Sequence, residues 1–332
     1  MATNWTVDKI LEVATGYRKA SVLAAAVELE LFDAMLGRRR TAAQIAQSIK
    51  CDRRAVTVIL DALAAMNLLK KSGGRYAVPA DVVSFLTAKG KNSVLAMSQH
   101  HACCLRRWAQ LAAVAKSGRP AVRVPSIRGE RKDAAAFIGG MHDLNRRLSP
   151  KLVREIQPLP FKHLLDIGGA SGTWTIAFLE INPAGRATIF DLPHVVPMAR
   201  RRLRQLKLAG KVRLVAGDFY RDELPRGADL AWVSAIVHQN SREQNRALFR
   251  KVFRALQPGG RIAIRDVVME ESRTAPVPGA LFAVNMLVGT PRGGTFTFKE
   301  LAADLRRAGF VGARLVRRGE GNDSVVVAKR RS

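Results

Sequence analysis

The chain has 332 residues, enough for two domains that each bury a core, and its 48% of hydrophobic residues is ordinary for a globular protein. Its 55 Lys and Arg against 27 Asp and Glu leave a net charge of +28, which raises nucleic acid or an anionic surface as a partner. The excess is spread evenly, +13 over residues 1–150 and +15 over the rest, and runs such as Arg38-Arg39-Arg40 are short, which argues against a dedicated nucleic-acid patch.

Between residues 7 and 36 apolar side chains recur at helical spacing (Ile10, Leu11, Val13, then Val22, Leu23, Ala26, Val27), predicting one or two amphipathic helices. Residues 21–36 are the most apolar N-terminal stretch, yet Glu28, Glu30 and Asp33 interrupt them, so neither a signal peptide nor a membrane span is expected. Thr41 is placed to cap a helix over 42–49 and Asp52 one over 53–66, and a Gly73-Gly74 turn joins two short extended pieces within 68–78. Helix, turn, helix and hairpin make a winged-helix pattern. As a DNA-binding module it would put Arg53 and Arg54 at the start of a recognition helix; as a dimer-building module it leaves them simply exposed. The apolar surface of 21–36 and of a further helix over 100–115 exceeds what a small winged helix needs, which favours the dimer. Cys51, Cys103 and Cys104 lack C-x-x-C spacing, so neither a disulfide framework nor a metal site is indicated, and a cytoplasmic protein is expected.

Residues 117–133, polar and broken by Pro and Gly, read as a surface connection, followed by helices over 134–144 and 149–156. The apolar run His163-Leu164-Leu165-Asp166-Ile167 then predicts a buried strand. Gly168-Gly169-Ala170-Ser171-Gly172 lets the backbone turn tightly and approach a ligand before a helix over 173–179. Strict alternation follows: a strand over 187–190 ending on Asp191, a helix over 195–206, a strand over 212–216 ending on Gly217-Asp218, a strand over 229–235, and a helix over 242–256. Pro258-Gly259-Gly260 turns into a strand over 261–268. This is an α/β fold, a doubly wound Rossmann-like sheet with ligands at the carboxyl ends of its strands. A helix over 298–308 and strands over 313–316 and 324–329 close the chain; the link between those strands is too short for a helical crossover, so they should be antiparallel. The implied organisation is a winged-helix dimerisation domain over 1–116, a connection over 117–157 and a cofactor-binding domain over 158–332.

Polar residues converge on the predicted binding edge. Asp191, roughly 20 residues after the glycine loop, can accept both ribose hydroxyls of a nucleoside. Asp218-Phe219 sets an acceptor for an exocyclic amine beside an aromatic face. No Lys or Arg stands in the loop and no G-K-[ST] follows, so a phosphate-cradling loop is absent, and a ligand with ribose and adenine but no pyrophosphate fits better: S-adenosylmethionine. His238 ends the apolar strand 231–237 at the same edge, where a neutral imidazole can take a proton from an attacking hydroxyl. A free imidazole (pKa ~6.5) cannot fully ionise a phenol (~10) beforehand, so proton transfer should accompany methyl transfer.

The ordered set Leu165-Asp166-Ile167-Gly168-Gly169-Ala170-Ser171-Gly172, Phe190-Asp191-Leu192-Pro193, Gly217-Asp218-Phe219, His238, Pro258-Gly259-Gly260 and Gly293-Gly294 resembles the S-adenosylmethionine-dependent O-methyltransferases of the plant caffeate, acetylserotonin and bacterial antibiotic type. The resemblance covers nearly the whole chain. It implies a class I methyltransferase with an N-terminal winged-helix unit that builds a homodimer, acting on a hydroxylated aromatic or polyketide-like small molecule. It places Asp166, Gly168, Gly169, Gly172, Asp191, Leu192, Asp218, Phe219 and Ser234 at the cofactor, with Gly168 and Gly169 near its methionine part. His238 matches the general base and Asp266 one of two acids that steady it. Three departures stand out: His238-Gln239-Asn240 where the family often has His-Asp-Trp, Ser234 in place of a cofactor-binding Lys, and Thr295 in place of the second acid. The substrate cavity is expected between the domains, lined by Met141, Phe282, Asn285 and Met286. C-methylation or loss of methyl transfer on the same scaffold, a winged-helix DNA-binding regulator, and a nucleic-acid methyltransferase are the alternatives.

Overall fold

The computed structural model describes residues 4–331. They divide into two compact units: the chain up to Ala109 with Val122–Leu144, and Gln110–Ala121 with everything from Asn145 onward.

The first unit opens with α1 (Val7–Thr15), α2 (Tyr17–Glu28) and α3 (Leu31–Ala34), then β1 (Arg40–Thr41), α4 (Ala42–Ser48) and α5 (Arg53–Ala65). The hairpin β2 (Lys70–Ser72) and β3 (Arg75–Ala77) follows, then α6 (Ala80–Leu86) and α7 (Leu95–Trp108). Thr41 forms a capping box with Gln44, and Asp52 accepts the Ala55 N–H, so both predicted caps start their helices. β3 pairs antiparallel with β1 and β2, and Gly73 and Gly74 take the positive φ that the tight turn demands. Val27, Phe32, Ile45, Leu60 and Leu63 belong to one buried cluster that joins these helices. α1 buries none of its residues and leaves Val7, Ile10, Leu11 and Val13 exposed.

The second unit takes in α8 (Leu111–Ser117) and the end of α9 (Glu130–Glu155). The helix predicted over 100–115 is therefore two helices, and those predicted over 134–144 and 149–156 are one, with Pro150 inside it. A mid-helix proline removes one hydrogen bond and costs about 3 kcal/mol. Here Leu152, Val153 and Ile156, just beyond it, are buried in a cluster with Trp174 and Phe178, which offsets that cost.

The sheet is built from β4 (His163–Ile167), β5 (Arg186–Asp191), β6 (Val212–Ala216), β7 (Ala228–Ser234) and β8 (Leu256–Asp266), joined through α10 (Thr173–Ile181), α11 (Val196–Gln205) and α12 (Arg242–Ala255). After β8 come β9 (Val268–Met269), α13 (Val277–Gly289), β10 (Phe296–Thr297), α14 (Phe298–Arg307), β11 (Phe310–Arg317) and β12 (Ser324–Arg330). Seven strands run in the order β11-β12-β8-β7-β4-β5-β6. β4 to β8 are parallel, whereas β12 is antiparallel to both β8 and β11, as the short link between the last two strands requires. Pro258-Gly259-Gly260 lies inside β8, where the register against β7 shifts, instead of preceding the strand. From β4 the chain steps outward to β5 and β6, then returns to the other side for β7 and β8. The crevice at the carboxyl ends of β4 and β7 is the switch point where a doubly wound sheet binds its ligand.

Candidate active site

The glycine loop leaves β4 at this switch point. Gly168 has φ +66°, and a Cβ there would come within 2.8 Å of Ile236 Cδ1; one on Gly169 would lie 2.8 Å from the Asp166 carboxyl. The loop thus presents bare backbone on a close-packed floor, a cradle that side chains would fill, and it suits the sugar and amino-acid parts of an S-adenosylmethionine molecule. Gly172, at φ +75°, sets the entry into α10. Ala170 adopts φ +47° and turns its N–H onto Asp191 Oδ2 at 2.7 Å, while Asp191 Oδ1 accepts the Leu192 N–H at 2.7 Å. Burial pushes the Asp191 pKa up, opposed by these two backbone bonds. Asp191 is thereby fixed against the loop at the position read as the ribose acceptor, with Leu192 partly exposed beside it.

Asp166 is fully buried, and Thr175 Oγ1 donates to its Oδ2 at 2.6 Å. Burial drives its pKa up to about 7, with the Asp191 charge adding to the rise and the Thr175 bond opposing it. Placed beneath Gly169, Asp166 shapes the loop from below.

After β6 the Asp218 carboxylate accepts the Tyr220 N–H at 2.8 Å, and the Asp218 N–H donates to Asp222 at 2.7 Å. Lys251 of α12 ties the same turn down, its Nζ donating to the carbonyls of Phe219 (2.9 Å), Tyr220 (3.1 Å) and Asp222 (2.8 Å). Phe219 packs against the core, with its ring centroid 4.5 Å from that of Tyr220. The Tyr220 hydroxyl bonds the Asn240 side-chain oxygen; Asn240 in turn donates to Asn245, and Asn245 to the Val237 carbonyl at 2.9 Å.

His238 sits in the 3-10 turn Val237–Gln239 after β7. Its Nδ1 lies 2.8 Å from Asp266 Oδ1 at the end of β8, and Asp266 is buried. A carboxylate only accepts, so Nδ1 carries the hydrogen and Nε2 is left as the basic nitrogen. The main chain is held as well: the His238 N–H points at Asp266 Oδ2 (3.3 Å), and Gly294 N–H donates to the His238 carbonyl (2.8 Å). Phe282 of α13 stands edge-on to the imidazole, with ring centroids 4.9 Å apart.

Of the residues expected to line the substrate site, Phe282 meets His238, Met286 is buried one turn further along α13, and Asn285 lies between them in sequence. Met141 belongs to the first unit. Ser234 ends β7, where its hydroxyl accepts from Arg265 at 2.9 Å. Thr295 is buried beside β10, and its carbonyl accepts from Arg273 at 3.0 Å. Sequence reasoning missed Lys251, Tyr220 and Arg265, and met Asn240 only as a departure from the family's pattern. Only Arg265 carried a signal, as a charged residue in the otherwise apolar run Ile262-Ala263-Ile264 of a predicted buried strand. Among the described residues no group of three or more His, Cys, Asp or Glu could hold a metal ion.

Residues 117–311 match a family model described as an O-methyltransferase domain, and residues 11–87 one described as an O-methyltransferase dimerisation domain. The 3-hydroxy-5-methyl-1-naphthoate 3-O-methyltransferase of Streptomyces sahachiroi is 28% identical, over 96% of this chain and 94% of that protein. The tetracenomycin polyketide synthesis 8-O-methyl transferase TcmO of Streptomyces glaucescens is also 28% identical, over 92% of this chain and 91% of its own. Among solved structures, that of PigF with S-adenosylhomocysteine (SAH) superposes with a TM-score of 0.86 at 25% identity, covering 98% of this chain and 100% of that one.

Proposed function

Since the O-methyltransferase match spans more than half of its length, the chain belongs to that family, and we propose that it methylates a hydroxyl of an aromatic or polyketide-like small molecule with His238 as general base. S-adenosylmethionine, when bound, supplies an electrophilic methyl group on a sulfonium centre that leaves as a neutral thioether. The chain's own residues do the rest. The bare glycine loop, Asp191 and the Asp218–Phe219 turn would hold the cofactor, with Ser234 at the end of β7 beside them. His238 Nε2 accepts the proton of the acceptor hydroxyl, and Asp266 stabilises the imidazolium that forms. Phe282 gives a flat apolar wall beside the base, suited to an aromatic ring.

The observation that carries this reading is the Asp266–His238 pair, fixed at 2.8 Å at the switch-point edge that also carries the glycine loop. The naphthoate and polyketide acceptors named for two relatives support the substrate class. The dimerisation-domain match and the exposed apolar stripe of α1 support a homodimer. No helix of the described residues is long and apolar enough to cross a membrane.

Titration calorimetry with SAH tests the cofactor site, and transfer of labelled methyl to a panel of hydroxylated naphthoates and anthraquinones tests the acceptor class. Both are expected to be positive, with His238→Ala losing turnover while keeping SAH affinity. Undiminished turnover in that variant would reject the base.

A further inference from the structure

Arg265 is the only Lys or Arg among the described residues that is buried, at 5% exposure. It precedes Asp266 on β8, so the two side chains leave opposite faces of the sheet. Asp266 goes to His238; Arg265 goes to the face covered by α10, opposite Ser234 in register. Its Nη1 donates to Ser234 Oγ at 2.9 Å, and its guanidinium lies 4.8 Å from the ring of Trp174, in the first turn after the glycine loop. Arg265 Nε and Trp174 Nε1 are buried without an acceptor, and no carboxylate of the described residues forms an ion pair with the guanidinium.

Stability does not explain this residue. Its neighbours Ala263, Trp174, Trp232 and Val325 form an apolar cluster in which an unbranched hydrophobic side chain would pack without a desolvation cost. Burial accordingly pushes the Arg265 pKa down to about 10. A residue that breaks the local pattern without stabilising the core points to function.

The strand order says which function. Asp191 and the Asp218–Phe219 turn, read above as ribose and adenine holders, end β5 and β6 on one side of the glycine loop; Ser234 ends β7 on the other. Resting on that reading, a cofactor laid across these strands brings its amino-acid end to Ser234. That end carries a carboxylate. Because Ser234 Oγ accepts from a cation, its own O–H is polarised and left to donate elsewhere. We propose that Arg265 is a positioning residue of the cofactor site, which through its hydrogen bond to Ser234 makes that hydroxyl a donor to the amino-acid carboxylate of S-adenosylmethionine.

The test compares two ligands by calorimetry: SAH, which has the amino-acid end, and 5′-methylthioadenosine, which lacks it. Arg265→Met is expected to weaken SAH about tenfold, the scale of one charge-assisted hydrogen bond, and to leave methylthioadenosine affinity unchanged. Its melting temperature should equal or exceed that of the parent. Ser234→Ala should show the same selective loss, the double variant no further loss, and Arg265→Lys, which keeps a donor, part of the affinity. Equal weakening of both ligands, or unchanged SAH affinity, overturns the proposal. A parent protein that binds neither ligand instead overturns the cofactor reading on which it rests.

Discussion

Replacing Asp266 by Asn removes one negative charge and leaves the shape, and the structure fixes how the amide must sit. Asp266 Oδ1 accepts from both His238 Nδ1 and the Val267 N–H, each at 2.8 Å, while Oδ2 has only the longer 3.3 Å contact with the His238 N–H. The amide oxygen therefore takes the Oδ1 place, and the imidazole keeps its tautomer. What is lost is the charge that stabilises the imidazolium as it forms, together with the long contact from the His238 N–H, which an amide NH2 cannot accept. Two unit charges about 4 Å apart interact by about 4 kcal/mol at an effective dielectric constant near 20. With the proton roughly half transferred in the transition state, about 2 kcal/mol is forfeited, a fall in kcat on the order of 30-fold. The assay is initial-rate transfer of labelled methyl to two phenols of matched shape, one ionised at the assay pH and one not. The neutral phenol should show the full loss; the ionised one, which needs no base, should show almost none. SAH affinity should not change. A loss of equal size with both phenols would refute the reasoning, because the ionised phenol needs no base and its loss would mean that Asp266 does not act through the imidazole.

The raised Asp166 pKa predicts a pH signature. The unfolded chain releases this proton near pH 3.8 and the folded one near 7, so stability is fully present below the lower value, falls as pH rises between them and stays level above. Asp166→Asn abolishes the dependence: its melting temperature should gain on the parent progressively from pH 4 to 7 and hold that gain at pH 8, whereas a pH-independent difference would contradict the assignment. Lys251→Met keeps the aliphatic stem but leaves three carbonyls of the 219–222 turn without their shared donor. SAH affinity by calorimetry should drop about tenfold with the acceptor KM unchanged; retained affinity would show that the turn holds itself.

The sheet was legible because β4, β5, β6 and β8 are apolar runs closed by an acid or glycine, and caps such as Thr41 and Asp52 announced their helices. The single helix through Pro150 was not legible, since its continuation depends on burying Leu152 and Val153 against residues far along the chain. The links that brace the site share this non-locality. Tyr220 and Asn240 are 20 residues apart, Lys251 and Phe219 are 32 apart, and neither pair has a periodic or spacing signature.

The departures around His238 show what such links replace. Thr295 stands where the resemblance puts a second acid, which leaves Asp266 as the carboxylate beside the base. In the structure Asp266 orients the ring, and main-chain contacts hold the turn that carries it. Gly294 N–H holds the His238 carbonyl, and a Cβ on Gly293 would come within 2.5 Å of that same oxygen, so only glycine lets this segment pack against the turn. Asn240, in the place of a frequent Trp, is fully buried and joins the Phe219–Tyr220 turn on one side to the Val237 carbonyl, through Asn245, on the other. An indole there would bring one donor and no acceptor, whereas the amide supplies both and connects the Phe219–Tyr220 turn to the residue preceding His238. The Phe219–Tyr220 turn and the turn that carries the imidazole are thereby joined through two buried amides, whose hydrogen bonds are all satisfied within the chain.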